Sequence, residues 1–208
     1  MSGPASLAIM GAVEGDVDEA VLRRLIEHVG AAPGTIFGKK GKGFLQTRLR
    51  GYNRAARFDP WVVLVDLDQD EECAPLLRTL WLSTPEPKMC FRVAVQAVEA
   101  WILADRERVS RFMGVRMSRV PSRPESEPNP KATIVQLARQ SRRRDIRQDM
   151  VPSVKSGRAV GPAYVSRLME FVLDTQAGWR PEVAARSSES LRRCLRRLRT
   201  LAGSRSGQ

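Results

Sequence analysis

Two short runs constrain the fold more than anything else in this chain. SLAIMGAV (6–13) and WVVLVDLD (61–68) are apolar at nearly every position until each meets an acidic edge. A strand with one face in water alternates apolar and polar side chains. A run apolar on both faces belongs to a strand covered above and below, as in a parallel sheet. Parallel neighbours need a crossover, usually a helix, and the intervening sequence supplies one. Val17, Val21, Leu25 and Val29 follow helical spacing, and Gly30 is placed to end that helix. GTIFG (34–38) reads as a short second strand and FLQTRLRGYNRAARF (44–58) as a helix open to interruption at Gly51. EECAPLLRTLWLS (71–83) reads as a helix with Pro75 in its first turn. KMCFRVAVQ (88–96) is a fourth strand, and AVEAWILADRERVSRFM (97–113) continues as helix. The expected architecture is α/β, with a mostly parallel sheet flanked by helices, over residues 1–112.

The composition then changes. Residues 113–130, with SRVPSRPESEPNP at their end, read as a Pro/Ser-rich loop or linker. Residues 131–208 read as a basic helical extension packed on the core, with helical patterns near 131–142, 161–176 and 187–202. Trp61, Trp81 and Trp101 are expected in the core, and Trp179, beside Gly178 and Pro181, at the surface.

Several classes of function fall away. No apolar run reaches the roughly 18 residues a membrane span needs. The first residues lack the basic start of a signal peptide and read as the approach to the first strand. Cys73, Cys90 and Cys194 are odd in number and widely spaced, with neither a disulfide framework nor a zinc pattern, which suggests reduced thiols in a cytoplasmic protein. One histidine, His28, leaves no room for a multi-histidine metal site. It lies near the end of the first helix, where a structural role suits it. Hydrolytic chemistry here would fall to carboxylates and a hard cation.

Three acidic clusters carry that chemistry. Glu14-Gly15-x-x-Asp18 follows the first strand, so its carboxylates project from the edge where ligands bind in open α/β sheets. Gly15 would permit a tight turn. The alternative is that Asp16, Asp18 and Glu19 complement the helix dipole. Asp66-x-Asp68, followed by Asp70, lies behind the third strand, where alternate residues share a face and can share an oxygen-liganded cation such as Mg²⁺. Helix capping accounts for the later acids but not for Asp66, which interrupts a buried strand. Glu99 is the only charge between Arg92 and Asp105. It wants a partner, a metal or a shifted pKa, the plain alternative being a pair with Arg106; Asp105 reads as a helix-end acid.

Glu14-Gly15-x-x-Asp18 after one strand and Asp66-x-Asp68 after another resemble the Toprim domain of topoisomerases, primases and OLD-type nucleases. YNRAAR, VVLVDLDQDE, VAVQAVEAWILAD, NPKA, GPAY and SSESLRRCLRRL more closely resemble the bacterial Toprim-like domain of unknown function 4276, over nearly the whole chain. The resemblance implies a Toprim-like fold and Mg²⁺ or Mn²⁺, one ion or two. It implies Glu14 and Asp66 as ligands, Asp68 as a ligand or a residue that positions water, and Asp18 and Asp70 as completing a second site. Glu14 or Glu99 would be the general base. It further implies a phosphodiesterase acting on DNA or RNA in phage defence or repair, with an ATPase partner protein. A non-catalytic nucleic-acid- or partner-binding subunit is the alternative. A topoisomerase would need a tyrosine nucleophile outside such a domain, and only Tyr52 and Tyr164 exist.

The net charge of +12 favours a polyanionic partner. GKKGKG (38–43) can cradle a phosphate through Lys39, Lys40 or Lys42, or be a solvated loop; it lacks P-loop spacing. Lys131 in NPKA begins a helix. In the last helix Leu191, Leu195, Leu198 and Leu201 form one face, with Ser187 or Ser188 as cap. Arg192, Arg193, Arg196, Arg197 and Arg199 cover the rest. They can track a phosphate backbone, lie solvated, or meet a partner, and SRRRDIRQ adds a second basic patch.

Overall fold

The computed structural model describes residues 7–68, 71 and 73–203. Four strands form an all-parallel sheet: β1 (Ala8–Val13), β2 (Ala32–Gly38), β3 (Trp61–Asp66) and β4 (Met89–Ala94), in the order β2-β1-β3-β4. The chain is α/β with helices on both faces and a helix at the C-terminal end, consistent with a Toprim-like architecture.

Strand alternation explains the two layers. Val62 and Leu64 of β3 point into one apolar cluster, and Trp61, Val63 and Val65 into the other. The second cluster is closed by α2 (Lys42–Ala55) through Leu45 and Leu49, and by α3 (Ala74–Trp81) through Leu77. The first, larger cluster takes in α1 (Asp16–His28) and α4 (Val98–Leu103). It continues through α5 (Arg106–Met113), α6 (Pro130–Arg139), α7 (Arg144–Met150), α8 (Tyr164–Leu173), α9 (Pro181–Ala184) and α10 (Glu189–Gly203). One core therefore joins the sheet to the helices beyond residue 130. Leu191, Leu195, Leu198 and Leu201 form the buried stripe of α10, which Ser188 caps by accepting from the Leu191 N–H at 3.2 Å. The Pro/Ser-rich segment is a docked loop: Val120 and Pro124 are buried, and Glu125 accepts from the N–H groups of Glu189 and Ser190 at the start of α10.

Several expectations are corrected. α2 runs unbroken through Gly51. The single helix expected over 97–113 is two, because Asp105 leaves helical geometry to cap α5, accepting from the Arg108 N–H at 3.4 Å. The basic stretch SRRRDIRQ (141–148) runs into α7, whose Ile146 and Met150 are buried, which is an addition to that reading and not a correction of it. Trp179 is fully buried, not exposed, and its Nε1 donates to the Trp101 carbonyl at 3.1 Å. A Cβ on Gly178 would lie 2.1 Å from the Phe171 carbonyl, so that glycine marks close packing and not an exposed loop. Among the described residues no helix is long and apolar enough to cross a membrane.

Candidate functional site

The strand order sets the site. From β1 the chain passes to β2 on one side, then returns across β1 to β3 on the other. Connections leave β1 and β3 in opposite directions, so a crevice opens between their carboxyl ends, the usual ligand position in such sheets. Glu14 follows β1 directly and Asp66 is the last residue of β3. They are tied to each other: Glu14 Oε1 accepts from the Asp66 N–H at 2.8 Å. Asp66 Oδ1 in turn accepts from the Val98 N–H at 2.9 Å, at the start of α4. The next residue is Glu99.

Asp18, in the first turn of α1, completes the group. It is 7% exposed, and its Oδ1 is buried with no hydrogen-bond partner among the described residues. Burial, then the Glu99 and Glu14 charges, push its carboxyl up from 3.8 to about 7. Asp66 is raised well above the usual carboxylate range by burial and by Asp18, Glu99 and Glu14. Each acid makes its neighbours costlier to ionise. Gly15 is not the tight-turn residue the sequence suggests: its φ of −147° is open to any residue. A Cβ there would instead stand 3.2 Å from Asp18 Oδ2, so the missing side chain leaves room beside the carboxylate.

Glu99 is 2% exposed. The Tyr164 hydroxyl donates to its Oε1 at 3.3 Å, and Lys131 Nζ stands 3.8 Å from the same oxygen. Arg106 is not its partner; that guanidinium donates to the carbonyls of Val120 and Met117. Glu99 holds Lys131 above its usual pKa, and burial beside Glu99 raises that of Tyr164. Asp18, Asp66, Glu99, Lys131 and Tyr164 line one pocket of about 180 Å³. Lys131 also lines a neighbouring pocket of about 390 Å³ with Asp68, Gln96 and Asn129.

Asp68 sits outside the strand pleat, since β3 ends at Asp66. Its φ of 50° is left-handed, its N–H donates to the Gln96 carbonyl at 2.8 Å, and Gln96 is itself left-handed at φ 63°. Its carboxylate is exposed and held by Lys42 Nζ at 3.1 Å. Asp70 lies outside the described residues. Asp105 does not line that pocket and is clasped by Arg180, whose Nε and Nη2 donate at 2.9 and 2.8 Å.

The basic candidates are dispersed. Lys39 pairs with Glu19 at 2.8 Å and Asp16 at 3.8 Å; Lys40 stands over the Phe44 ring. Arg192 and Arg193 pair with Glu189, Arg196 is exposed, and Arg197 donates to the Pro87 and Met89 carbonyls, fastening α10 to the sheet. Tyr164 is the site residue that sequence reasoning left out. Its signal lay in GPAY, where a lone tyrosine opens a helix.

The donor set is all oxygen, Asp18 and Glu99 are buried, Lys131 is the ammonium beside them, and Asp18 Oδ1 has no partner among the described residues. That chemistry fits a small hard cation. Among the described residues no three His, Cys, Asp or Glu side chains stand in the arrangement that holds one metal ion. One oxygen each of Glu14 and Asp66 is engaged by a backbone N–H. No protein-family model, curated protein or solved structure matches this chain.

Proposed function

We propose that the chain is a Mg²⁺-dependent phosphodiesterase acting on DNA or RNA. One observation carries the reading. At the switch point of a parallel sheet, Asp18 keeps a buried oxygen with no partner among the described residues, and burial, then the charges of Glu99 and Glu14, raise its pKa to about 7. Such crowding destabilises a fold that gains nothing from it; a bound divalent cation relieves it. In this reading Asp18, Asp66 and Glu14 hold the cation, with Asp68 at the rim. The cation, when bound, supplies charge stabilisation to a phosphoryl group under attack.

The chain's own residues do the rest. Hydrolysis adds water to phosphorus and breaks one P–O ester bond, so a base must take the proton. Of the two candidates, Glu99 lines the pocket, whereas Glu14 does not and has one oxygen committed to the Asp66 N–H. Glu99 is therefore the preferred base, oriented by Tyr164 and Lys131. Lys131 is about half exposed and borders both pockets. It can turn from Glu99 to a phosphate oxygen as substrate arrives.

The test is cleavage of labelled single- and double-stranded DNA and RNA with Mg²⁺ or Mn²⁺ against EDTA. Cutting that needs metal and disappears in Asp66→Ala/Asp68→Ala supports the reading. Cutting that survives that double substitution overturns it. No cutting, with salt-sensitive binding retained, moves the protein to a non-catalytic binding subunit.

A further inference from the structure

Beyond β4, on the flank of the sheet edge away from β1, a third pocket of about 370 Å³ lies between the starts of α3 and α10. Three arginines from three elements line it: Arg78 of α3, Arg92 of β4 and Arg193 of α10. Nε of Arg78 and Nε of Arg92 are buried and have no hydrogen-bond partner among the described residues. Burial, then the charge of Arg92 and, less, that of Arg193, push the Arg78 guanidinium below its usual pKa. Burying like charges without a counter-ion is costly, as at the carboxylate site but with the sign reversed.

The acids at the rim do not relieve it. Glu125 is taken up by the start of α10, accepting from Ser188 Oγ at 2.7 Å and from the N–H groups of Glu189 and Ser190. Glu189 pairs with Arg193 at 2.7 Å and with Arg192, and among the described residues no carboxylate pairs with Arg78 or Arg92. The pocket also meets the start of α3, which Cys73 leaves without a side-chain cap, so the positive end of that helix adds to the field. Guanidinium groups present paired donors that match phosphate oxygens. Gln96 lines both this pocket and the one holding Asp68 and Lys131, so one side chain separates the arginines from the carboxylate edge.

We propose that the pocket of Arg78, Arg92 and Arg193 is a phosphate-binding site, taking a phosphate of the nucleic-acid strand that the carboxylate site serves. Its preference for an anion is independent of the function proposed above; the assignment of that anion to nucleic acid rests on it. The strand then bridges two poles of one edge, with its cleaved phosphodiester at the acids and another phosphate anchored at the arginines.

The test is binding by the intact protein in EDTA, where nothing is cut, followed by fluorescence anisotropy. The probes are 3′-labelled single-stranded oligonucleotides of one sequence carrying a 5′-phosphate or a 5′-hydroxyl, with inorganic phosphate as competitor. Arg92→Gln and Arg78→Gln should each weaken binding about tenfold, the effect of losing one charge-assisted contact. Arg50→Gln, an exposed arginine of α2 away from the pocket, should change it less than about twofold. Arg78 lies on a helix surface, so its variant carries the test should Arg92→Gln fail to fold. A preference for the 5′-phosphate that disappears in both variants identifies a terminal phosphate. Equal weakening for both probes identifies an internal one. Inorganic phosphate that competes with wild type but not with the variants supports either form. Arginine variants that bind as Arg50→Gln does, or a wild type that binds neither probe, overturn the proposal. Arginine-dependent binding with no cleavage under any metal would refute the nuclease reading and keep the pocket; cleavage with unaltered arginine variants would do the reverse.

Discussion

Replacing Asp18 by Asn should make the protein more stable at neutral pH, and the gain should vanish in acid. In the unfolded chain Asp18 loses its proton near 3.8, whereas in the folded chain it keeps it until about 7. Between those values the folded state binds more protons than the unfolded one, so stability falls as pH rises, and the penalty is complete above about 7. Each tenfold change in proton affinity corresponds to about 1.4 kcal/mol, so the gap sets a ceiling of about 4 kcal/mol. Water entry and movement of Asp18 will lower the observed value. Asn is close in shape and does not ionise. It also removes one of the charges that raise Asp66. In EDTA at pH 8, Asp18→Asn should therefore exceed wild type by about 1–4 kcal/mol. At pH 4 the two should be nearly equal. The assay is urea denaturation across pH 4–8, following tryptophan fluorescence. Adding Mg²⁺ at pH 8 should raise the wild type and leave the variant nearly unmoved. A variant less stable than wild type at pH 8, or a difference that does not change with pH, would refute the electrostatic account of the cluster.

Three further outcomes follow from the same geometry. Arg180→Ala strands the fully buried Asp105 carboxylate and should cost about 3–5 kcal/mol in urea denaturation; a loss under about 1 kcal/mol would mean that water reaches Asp105 unaided. Gln96→Gly removes a left-handed non-glycine residue and should raise stability by about 0.5–1 kcal/mol after the added flexibility of the unfolded chain is offset; a loss would show that the Gln96 side chain stabilises the sheet edge. Trp179→Ala empties a fully buried site and should cost about 3–5 kcal/mol, whereas the surface position suggested by its neighbours would make it nearly neutral.

The sequence shows most plainly what strand physics enforces. Asp66 stands out because a charge at the end of VVLV has no place in a core, and Glu99 stands out for the same reason in an apolar helix. What it hides are partners far apart in the chain. Arg180 meets Asp105 across 75 positions, and that clasp ends one helix and starts the next inside a stretch whose apolar pattern runs on unbroken. Lys131 and Tyr164 reach Glu99 only because α6 and α8 fold back over α1 and α4. Trp179 misleads because glycine marks both open turns and the tightest contacts, and only the Phe171 carbonyl tells which applies. Asp68 misleads because pleat geometry holds only while the strand lasts, and β3 stops two residues short. The arginine pocket draws one residue from each of three elements, so no local spacing announces it.

The position of Lys131 and Tyr164 bears on how the protein matures during synthesis. A nascent chain that has reached residue 112 already carries Glu14, Asp18, Asp66 and Glu99, but neither the hydroxyl that steadies Glu99 nor the ammonium beside it. Until α6 and α8 emerge, the pocket lacks the side that Lys131, Tyr164 and Val165 supply. Sequence order thus sets the order of assembly: the wall that Lys131 and Tyr164 add to the pocket closes only after α8 has been made.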